Sequence, residues 1–207
     1  MNSQPGTELA LLIALRFAAE KHRRQRRKDT EATPYINHPI AVAELVARVG
    51  EVSDVTMLQA AILHDTIEDT ATTAEELETH FSKPVSLLVQ ELTDDKSLPK
   101  QERKRLQIEH SPHLSTAAKQ IKIADKICNL NDISATQPAD WPLQRKLDYL
   151  DWAERVVAGC RGCNPDLDQH FDTVLSERRE ALNVVASANS MPARSSIAVP
   201  EKCSGTE

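Results

Sequence analysis

Four residues of metal-binding type, His38, the adjacent pair His64-Asp65, and Asp125, stand in apolar company on three separate predicted helices. Two imidazoles and two carboxylates form a nitrogen and oxygen donor set, which suits Mn²⁺, Fe²⁺ or Zn²⁺ better than a thiolate-seeking ion. Asp125 lies in QIKIADKICNLNDI, where Ile121, Ala124, Ile127 and Cys128 mark a buried face. A buried carboxylate needs a partner, and a metal is one of the few that suffices. Each residue alone has a plainer explanation, since His-Asp pairs arise by chance and a single buried histidine is more often a hydrogen-bonded core residue. The set as a whole points to a metal centre. Glu68 and Asp69 follow His64 and Asp65 by four residues each. One helical turn on and on the same side, they can handle a water at the ion without occupying it. In isolation the two acids would read as a solvated helix end.

These residues require helices to position them, and the chain supplies about nine. Leu9, Leu12, Ile13 and Phe17 recur at helical spacing from Glu8 to about Gln25, ending in the cationic HRRQRRK. Asn37-His38-Pro39 opens a second helix that runs to Gly50, with Asn as cap and Pro in the first turn. Ser53 is the expected cap of a third, whose stripe Val55, Leu58, Ile62 leads to the His64–Asp69 segment. Thr73 to Glu76 reads as a capping box for a short fourth. Pro84 and Pro99 open the fifth and sixth, and Ser115 to about Ser134 forms a long seventh. Trp141-Pro142 introduces the eighth, and Asn164-Pro165 the last, through Leu182. No run of strand-like alternation interrupts them, so the expected fold is all-α, a single helical bundle over residues 1–185. Residues 186–207 are small and polar without sustained period, and are expected to form a disordered tail.

Composition agrees. With 40% hydrophobic and 27% charged residues, five glycines and 3% aromatics among 207 residues, the chain fits one compact helical domain. A net charge of −6 argues against a whole-surface nucleic-acid binder. The apolar run at 9–19 lacks a preceding cation and is broken by Arg16, and no stretch approaches the roughly 20 residues needed to span a bilayer. A cytoplasmic location without membrane attachment is expected, and a homo-oligomer is left open. Cys160 and Cys163 form a CxxC, but without a βαβ setting or two further ligands they read as reduced structural thiols.

The order H…HD…D resembles that of the HD-domain metal-dependent phosphohydrolases. The resemblance narrows with RRKD (26–29), TPYINHP (33–39), LQAAILHDTIEDT (58–70), LTDDK (92–96), ERKRLQ (102–107) and KIADKICNLNDI (122–133). These strings look like the hydrolase domain of the RelA/SpoT superfamily, most of all its small free-standing members of the metazoan SpoT-homologue type, over about residues 7 to 180. The resemblance implies an HD-domain bundle that hydrolyses the 3′-pyrophosphate of ppGpp or pppGpp. It implies His38, His64, Asp65 and Asp125 as Mn²⁺ ligands and Glu68 and Asp69 as the catalytic acid pair. It further implies that Arg27 stacks on the guanine and that Lys28, Asn129 and Tyr149 line the nucleotide pocket. Cys128 and Asn131 depart from the pattern, which often has an aromatic and a basic residue there. Two alternatives stand beside it: an NADPH 2′-phosphatase using the same metal and acids, and a non-catalytic nucleotide-binding module, disfavoured because no ligand or acid is missing. The remaining cations Arg23, Arg24 and Arg26 read equally as a solvated helix end. Lys100, Arg103, Lys104 and Arg105 read either as an exposed charged face or as a screen for distal phosphates.

Overall fold

A computed structural model describes residues 6–133, 138 and 140–190. The described chain is helical throughout: α1 Thr7–Lys21, α2 Asn37–Arg48, α3 Val55–Leu63, α4 Thr66–Asp69, α5 Ala74–His80, α6 Lys83–Leu92, α7 Lys100–His110, α8 Thr116–Asn131, α9 Leu143–Ala158 and α10 Pro165–Ser190, with a 3-10 turn at Ser111–His113. The all-α expectation is met. The helices expected at nine become ten because the third breaks at the His64-Asp65 pair, where Thr66 Oγ1 turns back to donate to Leu63 O at 2.7 Å. The four residues after the break form the single turn α4.

Side-chain caps set several boundaries. Thr73, Ser82 and Ser115 accept hydrogen bonds from the backbone N–H three residues on, opening α5, α6 and α8. Asp54, not Ser53, caps α3 by accepting from Met57 N at 2.7 Å, and Asn37 is the first residue of α2 rather than its cap. Asn164 Oδ1 accepts from Leu167 N at 3.2 Å, while its Nδ2 donates to Gly50 O and Gln120 Oε1, both at 2.9 Å. One amide thereby ties the ends of α2, α8 and α10 together.

The first helix stops at Lys21, short of the expected Gln25. The chain folds back instead, with Arg27 N donating to Thr33 O at 2.9 Å and Tyr35 N to Gln25 O at 3.1 Å around an isolated antiparallel bridge, Arg26 to Pro34. This backbone pairing outcompetes helix continuation. Arg26, Arg27 and Lys28 therefore belong to a loop and not to a helix terminus.

α8 is the axis of the bundle. Its Ile121, Ile123, Ala124, Ile127 and Leu130 have no exposure, and it packs against α2, α3, α6, α9 and α10. The same helix carries Lys122, Asp125 and Lys126, each at most 9% exposed, into the interior. Charged side chains are seldom buried without partners, which singles out this stretch of the central helix. Cys160 is buried and Cys163 half-buried, both are free thiols, and burial pushes Cys160 up to about 11, disfavouring its thiolate. α10 continues to Ser190, five residues past the start of the expected tail; the rest of that tail lies outside the described residues, as do Ser134 and Cys203.

Candidate metal centre and adjoining cavities

His38 enters from the first turn of α2, His64 and Asp65 from the break between α3 and α4, and Asp125 from the middle of α8. The break lets two adjacent residues converge, which a continuous helix with about 100° between neighbours would prevent. His38 Nε2 lies 3.1 Å from Asp125 Oδ1 and 3.7 Å from Asp65 Oδ2, and His64 Nε2 lies 3.1 Å from Asp65 Oδ2 and 3.9 Å from Asp125 Oδ1. Donor atoms of His38, His64 and Asp65 all lie within 4.8 Å of one another.

Neighbouring groups orient three of the four candidate ligands. His64 Nδ1 lies 2.8 Å from Ala61 O and so carries the proton it donates, leaving the Nε2 lone pair to face the carboxylates. Tyr35 OH donates to Asp65 Oδ2 at 2.7 Å, Lys126 Nζ to Asp125 Oδ2 at 2.8 Å and Asn129 Nδ2 to Asp125 Oδ1 at 2.6 Å. His64 Nε2 is buried and makes no hydrogen bond. An orphaned imidazole nitrogen aimed between two carboxylates fits an ion held there. The electrostatics agree. Burial alone would raise both carboxylates, yet His64, His38 and Lys126 hold Asp65 and Asp125 below the usual range. Burial would lower His64, yet Asp65 and Asp125 push it up to about 9, while burial keeps His38 low. The carboxylates favour positive charge at their centre, and a divalent cation could supply it there in place of a proton.

Two cavities flank the centre. A space of about 420 Å³ is lined by Arg27, Lys28, Asp69, Asn129, Trp141 and Tyr149, among others. It thus gathers the four residues expected to bind nucleotide. A smaller one of about 200 Å³ holds Glu68 with Lys100, Arg103, Lys104 and Arg145, and shares Trp141 and Tyr149 with the first. The two acids therefore face different spaces. Asp69 Oδ2 accepts from Gln25 Nε2 at 2.8 Å and its other oxygen pairs with Lys96. Glu68 Oε2 accepts from Asp94 N at 3.2 Å and Oε1 from Arg103 at 3.4 Å, and burial with Asp94 and Asp65 beside it pushes this carboxyl up to about 7.

Arg27 donates to Asn129 Oδ1 at 3.2 Å, pairs with Asp132 and lies 5.5 Å over the Tyr35 ring. Asn129 thereby links Asp125 to Arg27 in the cavity wall. Asn131 instead accepts from Arg178 at 3.0 Å, and Cys128 is half-buried, with burial raising it to about 12. Arg105 turns outward to Glu102 and Glu109 while Lys100, Arg103 and Lys104 face the Glu68 space. Sequence reasoning did not single out Tyr35, Gln25, Lys96, Asp94 or Lys126. Tyr35 stands in TPYINHP and Lys126 directly follows Asp125, so adjacency to ligands was their available signal.

Comparison with known proteins now bears on this geometry. The HD domain family matches residues 14–149. The chain is similar to the zebrafish protein named guanosine-3′,5′-bis(diphosphate) 3′-pyrophosphohydrolase MESH1, at 53% identity across 81% of this chain and 93% of that one. The human protein of the same name is 51% identical across 84% of this chain and 97% of its own length. A solved structure described as a metazoan orthologue of SpoT that hydrolyses ppGpp and plays a role in starvation responses superposes with a TM-score of 0.79. It is 43% identical and covers 85% of this chain and 98% of that one.

Proposed function

The chain belongs to the HD-domain family and, within it, to the MESH1-type hydrolases, and from that premise we propose that it hydrolyses the 3′-pyrophosphate of ppGpp and pppGpp. The products are GDP or GTP and pyrophosphate, and the reaction takes place in the cytoplasm. The observation that carries this reading is the orphaned His64 Nε2 facing two carboxylates, Asp65 and Asp125, that are hydrogen-bonded to Tyr35 and Asn129 in the wall of a nucleotide-sized cavity. His38, His64, Asp65 and Asp125 would hold Mn²⁺, which supplies charge neutralisation at phosphorus and an acidified water. Asp69, fixed by Gln25 and Lys96, aligns the attacking water from the nucleoside side. Glu68 exchanges a proton from the other side, its raised carboxyl being suited to transfer near neutral pH. Arg27, Lys28, Asn129 and Tyr149 orient the nucleoside, and Lys100, Arg103 and Lys104 offset phosphate charge. Product analysis of the purified, Mn²⁺-loaded protein against ppGpp, pppGpp and NADPH tests the assignment. Stoichiometric pyrophosphate and GDP or GTP is the expected result; orthophosphate from NADPH with none of these products would assign a 2′-phosphatase instead.

Chelation is expected to abolish turnover, and Mn²⁺ to restore it better than Mg²⁺, because two imidazole ligands are poorly matched to an ion that prefers oxygen. Full turnover in Mg²⁺ after rigorous removal of Mn²⁺ would count against the donor set. Arg27→Ala should raise KM about tenfold while leaving kcat nearly unchanged, since base stacking is similar in ground and transition states. Steady-state kinetics decide this: a fall in kcat alone would move Arg27, through its contact with Asn129, into the positioning of Asp125.

A further inference from the structure

α7 and α9 enclose a groove of about 520 Å³ outside the Glu68 space, lined by Lys100, Lys104, Arg145, Arg155 and Trp152 and by one carboxylate, Asp148, which partly offsets the charge at Lys104. It shares Lys100, Lys104, Arg145 and Trp152 with the Glu68 cavity, so the two adjoin. Arg105 also borders it but is committed to Glu102 and Glu109, and Asp148 accepts from Gln144 Nε2 at 2.8 Å. Among the described residues, no ion pair engages Lys100, Lys104, Arg145 or Arg155. Aromatic faces hold two of them, Lys104 at 4.5 Å from the Trp152 centroid and Arg145 at 4.1 Å from that of Trp141. Burial and then Arg145, Lys28 and Arg103 depress the Lys100 ammonium, and burial and then Lys100 and Lys126 depress that of Lys104. Unpaired cations crowded together on a chain of net charge −6 are not a by-product of composition.

We propose that this α7–α9 groove binds linear inorganic phosphate chains, its inner end taking two phosphates and Arg155 the third. A multivalent anion relieves the repulsion among the cations. Nucleic acid fits less well, because the Trp152 ring is already engaged by Lys104 at 4.5 Å, Lys126 at 4.7 Å and the Tyr149 ring at 5.2 Å, so a base would have to displace one of them to stack there. Pyrophosphate, the product of the proposed reaction, is the occupant assigned to the inner end, and only that identification rests on the proposed reaction.

Isothermal titration of the full, Mn²⁺-loaded chain with orthophosphate, pyrophosphate and tripolyphosphate, at fixed free Mn²⁺, tests the site. Tripolyphosphate is expected to bind about tenfold tighter than pyrophosphate. Arg155→Ala should erase that preference while leaving pyrophosphate affinity and hydrolytic kcat/KM unchanged, and Arg155→Lys should retain most of it; the Arg155 side chain is exposed, and an unchanged melting curve shows that the variants fold. No preference in the wild type, or a preference that survives Arg155→Ala, overturns the proposal. So does an RNA oligomer that binds tighter than tripolyphosphate with the same Arg155 dependence. A chain that keeps the tripolyphosphate preference but leaves ppGpp intact would sink the proposed reaction and leave the groove standing.

Discussion

Asp125→Ala is expected to lose bound metal and turnover together, and to melt at a lower temperature than the wild-type chain. The carboxylate serves three partners at once: His38 Nε2 at 3.1 Å, Lys126 Nζ at 2.8 Å and Asn129 Nδ2 at 2.6 Å. Removing it strands the Lys126 ammonium, 4% exposed, without its counter-charge. Breaking a buried pair from one side costs about 3–5 kcal/mol. A bound ion would add a second contribution, because its proposed ligands come from α2, the α3–α4 break and α8, and a cation bound only by the folded chain stabilises it by mass action. Chelator should therefore lower the melting temperature of the wild type and leave that of Asp125→Ala unmoved. Elemental analysis beside calorimetry separates the two contributions. A variant that is metal-free yet active would remove Asp125 from the site.

The helical architecture was legible because apolar spacing, capping residues and first-turn prolines agree along most of the chain. The four residues that converge as a candidate donor set could be picked out for a related reason, since His64-Asp65 and Asp125 are polar side chains in otherwise apolar stripes. What stayed hidden depended on breaks and on tertiary pairing. Residue spacing implied that Glu68 and Asp69 share a side with His64 and Asp65, but that rule assumes a continuous helix. Thr66 ends α3 by bonding back to Leu63 O, and beyond the break the two acids open onto separate cavities. The cationic segment after Lys21 likewise continues a helical pattern, yet its backbone finds partners in Thr33 and Tyr35. That pairing carries Tyr35 to Asp65 and Gln25 to Asp69, contacts between segments 30 and 44 residues apart that no local pattern announces. The division of α7 into outward Arg105 and inward Lys100, Arg103 and Lys104 depends on where Glu102 and Glu109 fall.

Separate environments for the two acids predict separate phenotypes. Glu68→Gln and Asp69→Asn should both keep the metal and bind ppGpp, and both should lose roughly 10² or more in kcat, because they act on the water and not on the ion. They should differ in pH dependence and stability. The Glu68 carboxyl, pushed up to about 7 by burial and by Asp94 and Asp65, holds its proton in the folded chain where the unfolded chain, near 4.5, has released it. That contribution to stability is complete below pH 4.5 and is lost as pH rises to 7. Above pH 7 the metal-free wild type carries a buried carboxylate beside two others, which Glu68→Gln removes. The variant should therefore be more stable there by about 1–2 kcal/mol, net of its lost contact with Arg103. In the loaded enzyme the cation favours the carboxylate, so the rising limb of kcat set by Glu68 falls at or below pH 7, and Glu68→Gln should lack it. Asp69→Asn should keep the limb, since Asp69 faces Gln25 and Lys96 rather than the Asp94 carboxylate. Profiles of kcat against pH and melting curves at pH 5 and 8 read both effects. If either variant came out metal-free it would be a ligand. A Glu68→Gln variant that kept the limb and gained no stability at pH 8 would show that Glu68 neither titrates near neutrality nor handles the proton.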